Sequence, residues 1–186
     1  GVQVEKPAGA TNVVPGQTAA VTTFTLNHTG NYVGDFDIAT QNAASGDDFD
    51  VTVTAIWMES GLQAGLQTSG GNADIQLGGG SYIDEFAADS SVDLYVLSTI
   101  PAYNGSNVQN GKTSKIHLVA TAEAGGTAST EGSALTESGA DAAATIETTL
   151  ADAAGTASGD AARDGKASDD DDYNIVSANI VISKSS

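Results

Sequence analysis

Hydrophobic and polar residues alternate with a period of two over most of the chain, and Gly, Asn and Asp separate the alternating stretches. This pattern predicts short β-strands that each bury one face. In residues 18–27, for example, Ala20, Thr22, Phe24 and Leu26 fall on the same face. Further stretches of this kind cover residues 35–38, 49–57, 92–96, 116–120 and 176–182.

One solvated face per strand is typical of antiparallel sheets. Six or more such strands within 186 residues predict an all-β fold, namely an antiparallel β-sandwich of immunoglobulin-like topology. We expect a single domain over residues 1–186, with long loops rich in Gly, Ala, Ser and Thr. Residues 125–167 are predicted to be a low-complexity insertion of Ala, Gly and Thr, and the Gly-rich residues 60–80 a hairpin or long excursion.

The N-terminal residues also alternate, with Val2 and Val4 on one face. A loose polar connection follows them, so residues 1–14 read as a strand plus linker that could be exchanged between copies. Such a strand pairs either within its own sheet or with an open sheet edge of the next copy. A head-to-tail contact of the second kind does not close and propagates as a filament. Ile180 and Ile182 near the C-terminus are the alternative donors.

The net charge and the absence of cysteine exclude several kinds of binding partner and site. The chain has 24 acidic and 6 basic residues, for a formal net charge of −18. This balance excludes electrostatic binding to nucleic acid and argues against docking on anionic lipid. No run approaches the roughly 20 apolar residues that a membrane helix needs, so we expect no membrane insertion. Without cysteine, disulfides and thiolate metal sites are impossible.

Carboxylates are the only plentiful functional group in the sequence. They form two clusters, and their members are Asp47, Asp48 and Asp50 in the first, and Asp160, Asp164, Asp169, Asp170, Asp171 and Asp172 in the second. Oxygen ligands at this density suit Ca²⁺, although their spacing does not match an EF-hand loop. The alternative interpretation is a pair of solvated acidic loops that keep the protein soluble. No cofactor is required, and Ca²⁺ is the one candidate.

Nothing in the sequence indicates an enzyme. His28 and His117 lie in different stretches without further ligands at zinc spacing, and both are expected to be exposed or half-exposed. A nucleophile elbow, a phosphate loop and a dinucleotide fingerprint are all missing. Asn27-His28-Thr29 and Asn104-Gly105-Ser106 are glycosylation sequons, and Asn27 and Asn104 would be the acceptors in a secreted chain.

Residues 15–25, followed by Asn27 and Gly30-Asn31, resemble the opening of bacterial secreted and cell-surface domains of the conserved immunoglobulin-like repeat type. The likeness continues through residues 49–52, 82–85, 91–101, 132–137, 151–155, 160–165 and 182–185. It implies a secreted β-sandwich that works in surface layers, stalks, adhesins or fibres. We therefore expect a structural subunit of an extracellular filament, a homopolymer joined by β-strand addition, with cations or glycans as further bridges. The alternative is a monomeric adhesin or glycan-binding module.

Overall fold

The computed structural model describes residues 1–6, 8–78, 81–139, 143–144 and 147–176. Over these residues the chain forms ten β-strands and no helix. The strands are β1 (Val2–Glu5), β2 (Thr11–Val13), β3 (Ala20–His28), β4 (Gly34–Asn42), β5 (Thr52–Met58), β6 (Ile75–Leu77), β7 (Tyr82–Phe86), β8 (Ser90–Thr99), β9 (Thr113–Ala124) and β10 (Lys166–Ile175). In the described part of the chain, then, no helix is long and apolar enough to span a membrane.

The ten strands form two five-stranded sheets. Sheet A has the order β1-β3-β8-β5-β6, and sheet B has the order β2-β10-β9-β4-β7. Every neighbouring pair is antiparallel except β2 and β10, which are parallel. The N-terminal segment therefore supplies one strand to each sheet, as β1 and then β2. The antiparallel, immunoglobulin-like β-sandwich is confirmed.

The core lies between the sheets and follows the predicted alternation. Its fully buried side chains come from both layers, and they include Phe24, Leu26, Leu94 and Val96 of sheet A and Phe36, Ile116, Leu118 and Tyr173 of sheet B. Val2 and Val4 of β1 join this core at the edge of sheet A. Of the Gly-rich residues 60–80, which were expected to form a hairpin or long excursion, Ile75–Leu77 form β6, which pairs antiparallel with β5, and residues 59–74 form the long connection between the two strands.

β5 departs from the predicted alternation. A register shift between Val53 and Ala55 interrupts its pairing with β8. Because an extra residue reverses the faces of a strand beyond it, Ile56 is buried. Ala55 and Trp57, which the alternation of the sequence predicts on the same face as Phe49, Val51 and Val53, are only half-buried.

Both histidines are buried, so the expectation of exposed side chains is wrong. The inward positions of β3 continue past Leu26 to His28, whose ring packs edge-on against Phe36 at 4.8 Å between centroids. Its Nδ1 lies 3.0 Å from the carbonyl oxygen of Ala87. His117 points outward from β9, but Thr156 covers it and its hydroxyl lies 2.9 Å from Nδ1. Burial lowers the pKa of both rings.

The strands of the sandwich run between two distinct ends. We call the end containing Gly1, Gly30 and Ala124 the N-terminal pole. We call the end containing Val13, Thr113 and Val176 the C-terminal pole, where the backbone N–H of Val176 donates to the carbonyl of Val13 at 2.9 Å. β9 runs from one pole to the other, and at about 3.3 Å per residue its length separates them by roughly 35 Å.

Candidate functional site

β1 is an edge strand whose outer side is open. Within sheet A its neighbour is β3, with Val2 opposite His28 and Val4 opposite Leu26. The carbonyl of Gly1 accepts a hydrogen bond from the N–H of Thr29 at 2.9 Å. Because antiparallel partners alternate between hydrogen-bonded and non-hydrogen-bonded pairs, the backbone groups of Val2 and Val4 point away from β3. No strand among the residues that the structure describes pairs with these groups, which there form an open sheet edge.

A groove of 310 Å³, which we call the β1 groove, runs along this edge. Val2–Glu5 form one wall and residues 151–155 form the other, while Ala167 and Ser168 of β10 also line it. The second wall carries small side chains, since the segment reads Ala-Asp-Ala-Ala-Gly. The β1 groove therefore leaves room beside a row of unpaired backbone donors and acceptors.

At the N-terminal pole the β1 groove meets a cleft of 380 Å³, which we call the pole cleft. The two share Val2, Ala151 and Asp152. The side chains of Leu135 and Leu150 give the pole cleft an apolar lining. Gly30 also lines the pole cleft. A larger residue would not fit at this position, because its Cβ would lie 2.7 Å from Nε2 of His28.

In the structure, the predicted N-terminal donor residues pair within their own chain. Val2 and Val4 are buried, and β1 pairs with β3 as an ordinary first strand. The alternative donors, Ile180 and Ile182, lie outside the described residues. The linker of β1 is tied to sheet B, since the N–H of Lys6 donates to Oδ2 of Asp169 at 3.0 Å.

The four consecutive aspartates belong to β10 rather than to a loop, so the interpretation as an acidic loop is wrong for Asp169–Asp172. As a strand alternates its faces, Asp171 points between the sheets and is only 2% exposed. Its Oδ2 accepts hydrogen bonds from the hydroxyl of Thr11, at 3.0 Å, and from the hydroxyl of Thr22. Thr22 is on β3, so this contact joins the two sheets.

Asp170 and Asp172 point outward, and Lys115 of β9 binds both. Its Nζ forms an ion pair with Asp170 and lies 3.0 Å from Oδ1 of Asp172. Burial by itself would raise the pKa of Asp170, but the hydrogen bond from Lys115 lowers it overall. Adjacent aspartates repel one another. Here a lysine on the neighbouring strand and the division of the run between two faces relieve that repulsion.

The other predicted calcium ligands bind groups of the protein separately. Asp160 accepts a hydrogen bond from Ser168 at 2.6 Å and Asp164 one from the N–H of Ala161 at 3.0 Å. Asp47 and Asp48 accept backbone N–H groups of β9, and Asp50 is exposed. Across the ranges that the structure describes, no three acidic or histidine side chains are placed to hold a metal ion. Calcium binding stays a prediction without an assembled site among these residues.

Sequence reasoning missed a further acidic group, where the start of β4 lies beside the end of β9. Asp35 is fully buried and accepts the N–H groups of Glu85 and Gly132, both at 2.8 Å. Beside it, Glu123 is 8% exposed, and its Oε2 has no hydrogen-bond partner among the described residues. Burial, with Glu131 and other nearby carboxylates, raises the pKa of Glu123 to about 7. No periodic signal marks the Gly-rich segment around Gly132 that covers these residues.

The two sequons lie in different surroundings. Asn27 is in the middle of sheet A, where β3 pairs with β1 and β8 on its two sides. Asn104 is exposed in the loop between β8 and β9. Its Oδ1 accepts the N–H groups of Ser106 and Val108, at 3.0 and 2.9 Å. Of the two, Asn104 is the one a glycosylating enzyme could reach.

Fold and edge together define an immunoglobulin-like β-sandwich with an open N-terminal strand edge. No protein-family model and no curated protein matches the chain. Among solved structures, the chain is similar to the CupB6 tip adhesin from Pseudomonas aeruginosa, with a TM-score of 0.32 and 11% sequence identity. The similarity covers 77% of this chain and 50% of the adhesin, so the chain spans about half the length of that structure. A likeness this distant bears on neither family nor function.

Proposed function

We propose that the chain is a non-enzymatic structural subunit of an extracellular surface assembly, in which copies join head to tail by β-strand addition. The observation that supports this proposal is the free edge of β1 beside a groove with small side chains on its far wall. Soluble proteins usually protect such an edge with charges, Pro, a bulge or a covering segment. Here the unpaired groups of Val2 and Val4 have space for another strand beside them.

The surface charge of the protein fits an ordered assembly. A formal net charge of −18 makes copies repel one another laterally. Specific backbone pairing at one edge then directs growth, because a contact between two different surfaces repeats without closing. In this proposal, divalent cations bridge the acidic surfaces of neighbouring filaments and tune how they bundle.

A pair of cysteines, one on β1 and one on β3, tests the proposed assembly and shows whether β1 is the strand exchanged between copies. Gln3 and Asn27 face each other in the register, on the outer face of sheet A. Hydrogen-bonded antiparallel partners have Cα atoms about 5.5 Å apart, which a disulfide spans. The chain has no other cysteine. We therefore expect the Gln3→Cys/Asn27→Cys variant, polymerised and then oxidised, to form one disulfide without rearrangement.

Non-reducing electrophoresis of that oxidised polymer gives the linkage. A covalent ladder of multimers shows that β1 is exchanged between copies. A single monomer band shows that β1 stays paired with β3 of its own chain and that another strand joins the copies. The single variants Gln3→Cys and Asn27→Cys are the matched controls. Failure of the parent chain to polymerise at any concentration, seen by light scattering and electron microscopy, contradicts the proposed function.

A second candidate function, a monomeric adhesin or glycan-binding module, is favoured by the pole cleft alone. Its 380 Å³ volume is in the range of small-ligand sites. This candidate predicts a stable monomer in size-exclusion chromatography and binding to members of a glycan panel, with binding lost when Leu150 at the cleft is replaced by a larger side chain.

A further inference from the structure

We propose that the β1 groove is the acceptor site for residues 178–183 of a second copy, which add to β1 as a new edge strand of sheet A. This inference rests on the proposed function and names its linkage. It leaves β1 paired with β3 in its own chain, and it makes the C-terminal segment the donor.

The positions of the two ends of the chain require the donor to come from another molecule. β10 delivers the C-terminal segment to the C-terminal pole, where Val176 bonds to Val13. The β1 groove begins at the N-terminal pole, about 30 Å away along β9. Residues 178–183 start two residues beyond Val176, and a fully extended chain advances at most about 3.5 Å per residue, so they reach only roughly 7–25 Å. The same segment of a copy stacked on the first easily reaches its groove.

The sequence of the donor segment matches what the β1 groove offers. Ala178, Ile180 and Ile182 alternate with Asn179, Val181 and Ser183, which gives one apolar face at a period of two. In copies stacked in one orientation the donor runs parallel to β1, as β2 runs parallel to β10. Its backbone then satisfies the unpaired groups of Val2 and Val4, and its isoleucines fill the space beside the small far wall.

Charge supports the same occupant. The only charged side chain in residues 177–186 is that of Lys184. The β1 groove and pole cleft carry Glu5, Glu147 and Asp152. The end of the chain that contains the donor therefore has a net positive side-chain charge and is attracted to this acidic edge, whereas a second copy of the acidic sandwich surface is repelled.

Substitutions in the donor provide the first test, using the full chain. Ile180→Asp/Ile182→Asp places charges on the apolar face, and we expect the concentration needed for polymerisation to rise more than about a hundredfold, since two buried isoleucines are lost. Val181→Asp adds the same kind of charge to the opposite face and is the control that should still polymerise. Equal polymerisation of all three chains overturns the proposal.

Complementation provides the second test and does not depend on any one variant. Ala153→Trp fills the β1 groove from an exposed position, and Ala64→Trp, exposed in the β5–β6 loop, is its control. We expect the Ala153→Trp chain and the Ile180→Asp/Ile182→Asp chain each to stay monomeric. Mixed, they should form a dimer that grows no further, because one supplies an intact donor and the other an intact groove.

The results separate this inference from the proposed function. Circular dichroism melts first establish that each variant is folded. Folded variants that fail to form the mixed dimer overturn the inference. So does a covalent ladder from the Gln3→Cys/Asn27→Cys polymer, which leaves the proposed function standing with β1 as the exchanged strand. Loss of polymerisation in the parent chain itself would instead contradict the proposed function.

Discussion

Replacing Asp171 with alanine is expected to lower the free energy of unfolding by about 3 kcal/mol, because the change leaves one buried and one half-buried hydroxyl group without an acceptor. The carboxylate holds Thr11 of β2 and Thr22 of β3 together, and Thr22 is only 1% exposed. Removing the side chain also leaves a cavity between the sheets. Urea unfolding followed by the fluorescence of Trp57 measures the change.

The next residue in the run supplies the matched control. Asp172 makes its ion pair with Lys115 at the surface, with its side chain 42% exposed. Exposed pairs contribute about 0–1 kcal/mol, so Asp172→Ala should cost little. Equal losses for the two alanine variants would show that Asp171 does not connect the sheets in solution.

Replacing Glu123 with glutamine is expected to stabilise the protein in alkaline solution. The pKa of Glu123 rises from 4.5 to about 7 on folding. The folded state therefore binds a proton more tightly than the unfolded state, and stability falls as the pH rises from about 4.5 to 7. At 1.36 kcal/mol per pKa unit, the gain of the variant over the parent should grow by about 3 kcal/mol between pH 4 and pH 8.

Denaturant unfolding at several pH values measures this gain, with Glu5→Gln as the control at an exposed glutamate. His28 has the opposite slope: burial lowers its pKa below 6.5, so its contribution is present above that pH and lost as the pH falls. It is the same in both proteins and cancels in the difference. A gain for Glu123→Gln that is constant across the pH range contradicts the assignment.

The elements that alternate strictly could be predicted from the sequence, and those with a competing signal could not. β3 follows its apolar positions closely, and β9 does so over residues 113–122 apart from His117. β8, in contrast, is buried continuously from Leu94 to Ser98. β10 was missed because a run of charges usually indicates a solvated segment. Its aspartates are stable in a strand because Lys115, Thr11 and Thr22 bind them. These partners come from distant parts of the sequence, so no local pattern indicates them.

The candidate site divides in the same way. The sequence shows the alternation of Val2 and Val4, and that of Ile180 and Ile182, which lie outside the described residues. The groove could not be predicted, because its far wall belongs to residues 151–155, whose composition indicated only low complexity. Contact with β10 at Ala167 and Ser168 places this segment beside β1, and no local pattern encodes such a long-range pairing.

The parallel pairing of β2 with β10 has a mechanical consequence. If tension reaches a copy through its C-terminal segment and leaves through the edge of β1, it acts along the strand axes from one pole to the other. β10 has β2 on one side and β9 on the other. Pulling it lengthwise loads both rows of hydrogen bonds in shear, so that they share the force rather than unzip one after another, and a fibre built in this way would resist stretching.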